Sequence, residues 1–221
     1  MRPLVIVGAG ELARLAHYYF SNDSARPVAG FAVDARFLSS DTFMGLPVVA
    51  FEEIGVKYPP ADFDLFVAIG YVQLNAVRAA KCAAARSMGY KLASYVSSRA
   101  SVWPDLALGD NCMIMEGNLI QPFAKIGNAA ILFCGSVISH EVELDDNCFV
   151  ASGATLCGGV KVRSNCFIGA NSTIREHLEI GANCMIGAGA LIVRDVAPGS
   201  AYVEAGTRDS GIPSRRLRSL L

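Results

Sequence analysis

A small α/β domain with a Rossmann-like parallel sheet, followed by an all-β parallel β-helix, is the fold class this sequence predicts. Three observations carry it. Short apolar runs alternate with helical segments up to about residue 95. From there an aliphatic residue recurs at every sixth position. And 52% of the 221 residues are hydrophobic against 18% charged, which suggests a regular buried core or a buried subunit interface.

The elements follow in chain order. The run 4–7 (LVIV) reads as a strand, 11–20 as a helix and 28–33 as a second strand. A further short strand is expected over 64–69, an Ala-rich helix over 74–88 and a last strand over 92–96. Alternation of strands with helices implies a small parallel sheet. About 90 residues is only half of a full dinucleotide-binding fold, which argues against a dehydrogenase. The domain division is therefore 1–95 and 96–221.

In the second part, all sixteen positions taken every six residues from Val102 to Ile192 are aliphatic. Four places after each, the residue is usually small, as at Cys112, Ala124, Ala130, Ser136 and Cys148. A period of six does not match the 3.6 of a helix; it is the hexapeptide repeat of a parallel β-helix, with three hexads forming one triangular coil of 18 residues. Cys112, Cys148, Cys166 and Cys184 then stack inside the rod, with Ala130 at the missing step. They are expected to be buried and reduced, with no metal bound.

Charge and composition exclude other classes. The formal net charge is −1, which does not suit a general nucleic-acid binder. No apolar run reaches the length of a membrane span. The first twenty residues lack the cleavage site of a signal peptide, and seven cysteines without a CxxC pair fit a reducing cytoplasm.

A hexapeptide core holds nothing reactive, so chemistry must come from residues that point out of it. Of the three histidines, His17 on the first helix and His177 on a later coil read as packing or surface residues. His140 stands in the third place of its hexad with Glu141 next to it. Such a pair is either a general base with its orienting carboxylate or a surface ion pair. In the first domain, Gly8-Ala9-Gly10-Glu11-Leu12-Ala13 follows a strand and opens a helix, the context of a phosphate site. Asp34 ends the second strand, where a ribose or base contact is usual.

The stretch Ser136-Val137-Ile138-Ser139-His140-Glu141, with Ser152 to Val160 after it, resembles the left-handed β-helix sugar acyltransferases, the nucleotide-amino-sugar N-acetyltransferase and sialic acid O-acetyltransferase group. The likeness extends over essentially the whole chain. It implies a left-handed helix, a homotrimer and acetyl-CoA lying between adjacent rods. It makes His140 the base and Glu141 its polarising partner. It places coenzyme contacts at Gly158, Ala170 and Ala188, with Phe149 where many members carry a second histidine near the acetyl group. The nucleotide-sugar site falls on Gly8, Gly10, Glu11, Leu12, Asp34 and Gly70. The family's terminal Gly-x-Pro-Ala-Lys-like segment reads here as Gly211-Ile212-Pro213-Ser214-Arg215-Arg216, and Arg215, Arg216 and Arg218 could meet the coenzyme's phosphates. This chain departs from the pattern at Glu11, where glycine is common, and at Phe133, where asparagine is.

The expected function is acetyl transfer from acetyl-CoA to a nucleotide-linked amino sugar by direct attack, in a cytoplasmic enzyme that feeds polysaccharide synthesis, with no metal, nucleic acid or membrane involved. The rivals are a sialic-acid-type O-acetyltransferase, a metal-dependent hexapeptide hydratase, which would need three converging histidines, and a non-catalytic scaffold.

Overall fold

The computed structural model describes residues 1–203; the basic segment around Arg215, Arg216 and Arg218 lies outside them. The first domain is a five-stranded sheet. Its strands are β1 (Leu4–Val7), β2 (Val28–Val33), β3 (Thr42–Phe43), β4 (Leu46–Ala50) and β5 (Asp64–Val67), in the order β3-β4-β2-β1-β5. All pairings are parallel except β3 with β4. Helix α1 (Glu11–Asn22) crosses from β1 to β2, a short helix α2 (Ile54–Lys57) precedes β5, and α3 (Ala76–Ser87) follows it.

The runs at 4–7 and 28–33 form strands as expected because each is apolar on both faces, as a covered parallel strand must be. The hairpin of β3 and β4 was not expected. Its turn is Met44-Gly45, both with positive φ (53° and 77°), the geometry of a two-residue hairpin loop. The strand expected over 92–96 is divided. Leu92 makes only an isolated bridge to Leu65, whereas Tyr95–Val96 pairs with Met113–Ile114 and opens the rod. The sheet's edge at β5 is instead continued by a side chain: Asn111 Oδ1 accepts from the Val67 N–H at 2.7 Å, and its Nδ2 donates to the Val67 carbonyl at 3.2 Å.

The rod is a left-handed parallel β-helix with three faces. From Ser101–Val102 to Leu191–Ile192 the second residue of each two-residue strand is one of the aliphatics of the hexad series, and successive strands of a face lie 18 residues apart, as Val137 lies on Leu119. The first face contains Met113–Ile114, Ile131–Leu132, Phe149–Val150 and Phe167–Ile168. The second contains Leu119–Ile120, Val137–Ile138 and Thr155–Leu156, and the third Lys125–Ile126, Glu143–Leu144 and Lys161–Val162. The last coil is shorter than the rest: Ala201 pairs with Met185 at a spacing of 16.

The predicted thiol column is inside: Cys112, Cys148, Cys166 and Cys184 are fully buried. Each thiol meets a carbonyl 13 to 15 residues further along the chain, after the third side of its coil, as Cys112 Sγ meets Gly127 O at 3.0 Å. Burial pushes the Cys112 thiol up to about 12 and holds Cys148 well above the usual thiol range. Corners are turned by left-handed residues repeating every 18. Asn111, Ala129, Asn147, Asn165 and Asn183 form one such column, and Phe123, Glu141, Gly159 and His177 another.

The α/β domain covers the first face. One apolar cluster joins Leu4, Ile6, Phe20, Phe31 and Phe66 to Met113, Met115, Ile131 and Phe149 of the rod. Polar clasps flank it. Asp23 at the end of α1 accepts from Tyr95 Oη at 2.6 Å and from the Ser98 N–H at 2.9 Å. The Tyr19 hydroxyl donates to Glu116.

Candidate functional site

The crevice of the α/β domain opens at the C-terminal ends of β1, β2 and β5. There β1 lies between a strand that follows it on one side and one on the other, the switch point at which such sheets take ligands. A cavity of about 620 Å³ is lined by Gly8, Gly10, Asp34, Phe37, Gln73 and Lys81, among others. A neighbouring cavity of about 360 Å³ is lined by Gly10, Glu11, Leu12, Gly70, Tyr71, Phe133 and Phe149. The structure therefore brings the six expected substrate residues to two adjoining cavities that share Gly10 and Ala68.

The local reasons are specific. A Cβ on Gly8 would lie 2.8 Å from the Ala68 carbonyl oxygen, and its φ is +127°, so only glycine lets the loop after β1 pass this close to the end of β5. Gly10 is the residue before α1, and the first-turn N–H groups of that helix face no intrahelical acceptor. Asp34 carries an ion pair with Lys81 of α3, and the Lys81 ammonium lies 4.2 Å from the centroid of the Phe51 ring. The second cavity has an aromatic floor, in which Phe149 stands 5.0 Å from Phe133, 5.5 Å from Phe167 and 5.1 Å from Tyr71 between ring centroids.

His140 and Glu141 lie elsewhere, on the corner between the second and third faces, opposite the face that carries the α/β domain. Their side chains are 57% and 63% exposed, with His140 Nδ1 3.6 Å from Glu141 Oε2. The His140 N–H donates to Gln121 Oε1 at 2.9 Å, which ties the corner to the coil below. Glu141 holds a left-handed backbone (φ 59°), a conformation that costs a non-glycine residue on the order of 1 kcal/mol. The imidazole leans along the rod over Gly158: a Cβ there would lie 2.5 Å from both Cε1 and Nε2. His177 approaches the same step from the other side, its Nδ1 2.4 Å from where a Cβ of Gly159 would be.

The expected coenzyme residues fall into three places. Gly158 shares the His140 corner. Ala170 and Ala188 follow strands of the first face and sit on the corner between first and second faces. Phe149 is 3% exposed and points from the first face into the wall beneath the α/β domain. It precedes the buried Val150, so strand parity turns it out of the rod core and into that interface. Among the described residues no group of three or more His, Cys, Asp and Glu side chains could hold a metal, and no helix is long and apolar enough to cross a membrane.

Sequence reasoning missed Lys81, Gln121 and Tyr71. Their contacts with Asp34, His140 and Phe149 join residues far apart in sequence, and no spacing announces them.

Comparison with known proteins agrees with this architecture. A family model described as bacterial transferase hexapeptide (six repeats) matches residues 159–194. No curated protein sequence matches the chain. Among solved structures, the chain is similar to a histidine-to-asparagine mutant of perosamine N-acetyltransferase from Caulobacter crescentus in complex with CoA and GDP-perosamine. The two are 28% identical, 91% of this chain and 93% of the other are covered, and the TM-score is 0.84. The acetyltransferase domain of PglB from Neisseria gonorrhoeae FA1090 shares the fold at 22% identity, coverage of 92% and 97%, and a TM-score of 0.81. WeeI from Acinetobacter baumannii AYE does so at 20% identity, coverage of 92% and 97%, and a TM-score of 0.78.

Proposed function

We propose that this chain, an acyltransferase of the hexapeptide-repeat kind, transfers the acetyl group of acetyl-CoA to the amine of a nucleotide-linked amino sugar. Residues 1–95 form the nucleotide-sugar-binding domain and residues 96–221 the acyltransferase domain. The observation that carries this reading is the convergence of Gly8, Gly10, Glu11, Leu12, Asp34 and Gly70 on one crevice, in a domain docked to a rod with an outward imidazole–carboxylate pair. The 28% identical neighbour, with the same two-part architecture, was solved with CoA and a nucleotide-linked amino sugar.

In the reaction the acceptor nitrogen attacks the thioester carbonyl carbon. A C–N bond forms, the C–S bond breaks, and coenzyme A leaves as the thiolate. His140 takes the proton from the amine through Nε2, while Glu141 faces Nδ1 and holds the ring in the tautomer that leaves Nε2 free. Backbone N–H groups beside Gly158 would stabilise the oxyanion of the tetrahedral intermediate.

The crevice and His140 lie on opposite sides of one rod, and Gly158 lies on a different corner from Ala170 and Ala188. A coenzyme that touches all three, and a sugar that reaches an imidazole, therefore need a second copy of the chain. A cyclic trimer, in which each rod presents its His140 corner to a neighbour's crevice, meets that need three times over. The enzyme would work in the cytoplasm, supplying acetylated sugars to polysaccharide synthesis.

The test is an acetyl-transfer assay with a panel of nucleotide-linked amino sugars, run alongside light scattering. Release of coenzyme A with one of these acceptors, by a trimer, is the expected result. A monomer at micromolar concentration, or coenzyme A release without a sugar acceptor only, would sink it.

A further inference from the structure

Arg78 of α3 is completely buried. All five of its N–H positions are directed at backbone carbonyls. Nε donates to Ala129 O at 3.0 Å. Nη1 donates to Ile69 O at 3.1 Å and Gly70 O at 2.8 Å. Nη2 donates to Asn147 O at 3.1 Å and Cys148 O at 3.2 Å. No carboxylate among the described residues pairs with it. Burial lowers its pKa to about 10, which leaves it protonated at neutral pH. The charge is thus balanced by peptide dipoles alone.

Three of those carbonyls belong to the rod; the other two belong to the loop after β5. The described peptides include no cis bond, so the Gly70 N–H is antiparallel to the Ile69 C=O, and the Tyr71 N–H to the Gly70 C=O. Both carbonyls turn onto the guanidinium, so both N–H groups turn away from it. Neither meets a protein acceptor among the described residues. Gly70 and Tyr71 line the cavity whose other wall is the start of α1.

We propose that Arg78 is a positioning residue for the diphosphate of the nucleotide sugar, an inference that rests on the reading of the crevice given above. From behind the loop it fixes two free N–H donors toward the cavity. Its uncompensated charge polarises the peptides that carry them, which strengthens those donors toward anionic oxygen. The same charge offsets the carboxylate of Glu11 on the facing wall. Arg78 touches no ligand itself. It also ties the substrate loop to the rod, so the two donors keep their place relative to the chemistry on the neighbouring chain.

The experiment is calorimetric binding of GDP and guanosine, and of UDP and uridine, to the full-length protein and to Arg78→Gln and Arg78→Lys, with folding followed by circular dichroism. Gln removes the charge; Lys keeps it but grips at most three carbonyls. The diphosphate that binds the wild type should weaken roughly tenfold in Arg78→Gln and about threefold in Arg78→Lys. The matching nucleoside should bind all three proteins alike. Equal losses for diphosphate and nucleoside, or a folded variant that binds the diphosphate like the wild type, would overturn the proposal. If Arg78→Gln does not fold, the Lys variant decides alone. A wild type that binds neither diphosphate fails earlier, and takes the reading of the crevice with it.

Discussion

Along the rod, Leu119 lies on Ser101 and Val137, and Val137 lies on Thr155; every step before the last coil repeats the same spacing of 18. In the α/β domain, Leu4 pairs with Val28 on one side and Asp64 on the other, and no interval recurs. The rod is built from identical local closures, each coil resting on the one before it, whereas the α/β domain closes over long and unequal loops and completes its core against the rod's first face. A repeat array behaves as a sum of nearest-neighbour terms. The docked domain depends on contacts made once each: Asp23 to Tyr95, Asn111 to Val67, Arg78 to Cys148. Under the proposed function the rod would carry the chemistry on a stiff and repetitive support, and the α/β domain would carry selectivity on a unique one.

The largest expected effect tests whether the two regions divide the work in this way. His140→Ala should lower the acyl-transfer rate roughly 10²–10⁴-fold, the range for losing a general base. The oligomeric state, coenzyme affinity and nucleotide affinity should hardly change, because the side chain is 57% exposed. Steady-state kinetics with calorimetry checks this; loss of nucleotide binding in that variant would break the division.

A core truncation asks whether the rod's stability is local. Ile168→Ala removes a fully buried side chain and should cost about 2–5 kcal/mol, read as a fall in the denaturant midpoint. Hydrogen exchange should show the loss concentrated in the coils that hold Val150 and Ile186, its neighbours above and below. Uniform loss across the α/β domain would mean that the two regions unfold as one unit.

A smaller effect is expected at Gly158. A methyl group there would meet the His140 imidazole at 2.5 Å, and an exposed side chain can swing aside at little cost. Gly158→Ala should therefore leave the melting temperature almost unchanged and reduce turnover about tenfold by displacing the base. Unchanged turnover would show that the position of the ring over Gly158 does not matter.

The smallest effect concerns the clasp between the regions. The hydrogen bonds from Ser98 and Tyr95 hold the Asp23 carboxyl well below the usual carboxylate range. Its folded pKa is depressed, so its contribution to stability is complete above the ordinary value of about 4 and is lost as the pH falls from there through the folded value. In Asp23→Asn, melting temperatures should decline less steeply than in the wild type below about pH 4. Parallel curves would remove Asp23 from the list of contacts that matter.

Reading residue by residue, the hexad aliphatics and the thiol column were legible because each coil repeats one environment, so a single period reports the inward positions of the whole rod. The strands at 4–7 and 28–33 were legible from their unbroken apolar runs. The β3–β4 hairpin was not, since only Met44-Gly45 marks it and methionine is an unusual residue at positive φ. The strand at 92–96 looked continuous because apolar residues continue through it, while its backbone leaves one sheet and joins another. At the site, His140 with Glu141 and the glycines of the first loop were visible as motifs. The lean of the imidazole over Gly158, the Lys81–Asp34 pair and the grip of Arg78 on the rod were not, since each depends on contacts across 18 or more residues.

The sequence by itself determined the rod, its register, its buried sulfurs and the identity of the outward imidazole, because a repeating fold translates position in the chain directly into position in space. It determined also that an α/β domain with a glycine-rich first loop stands before that rod. Only the tertiary structure decided that the crevice and His140 face away from each other in one chain, that Phe149 belongs to the domain interface, and that a buried arginine with no acid beside it among the described residues grips the loop after β5. Those arrangements follow from how one compact domain docks on one face of a triangular rod. That docking is the sum of many unrelated side-chain contacts, and no local pattern in the chain encodes it.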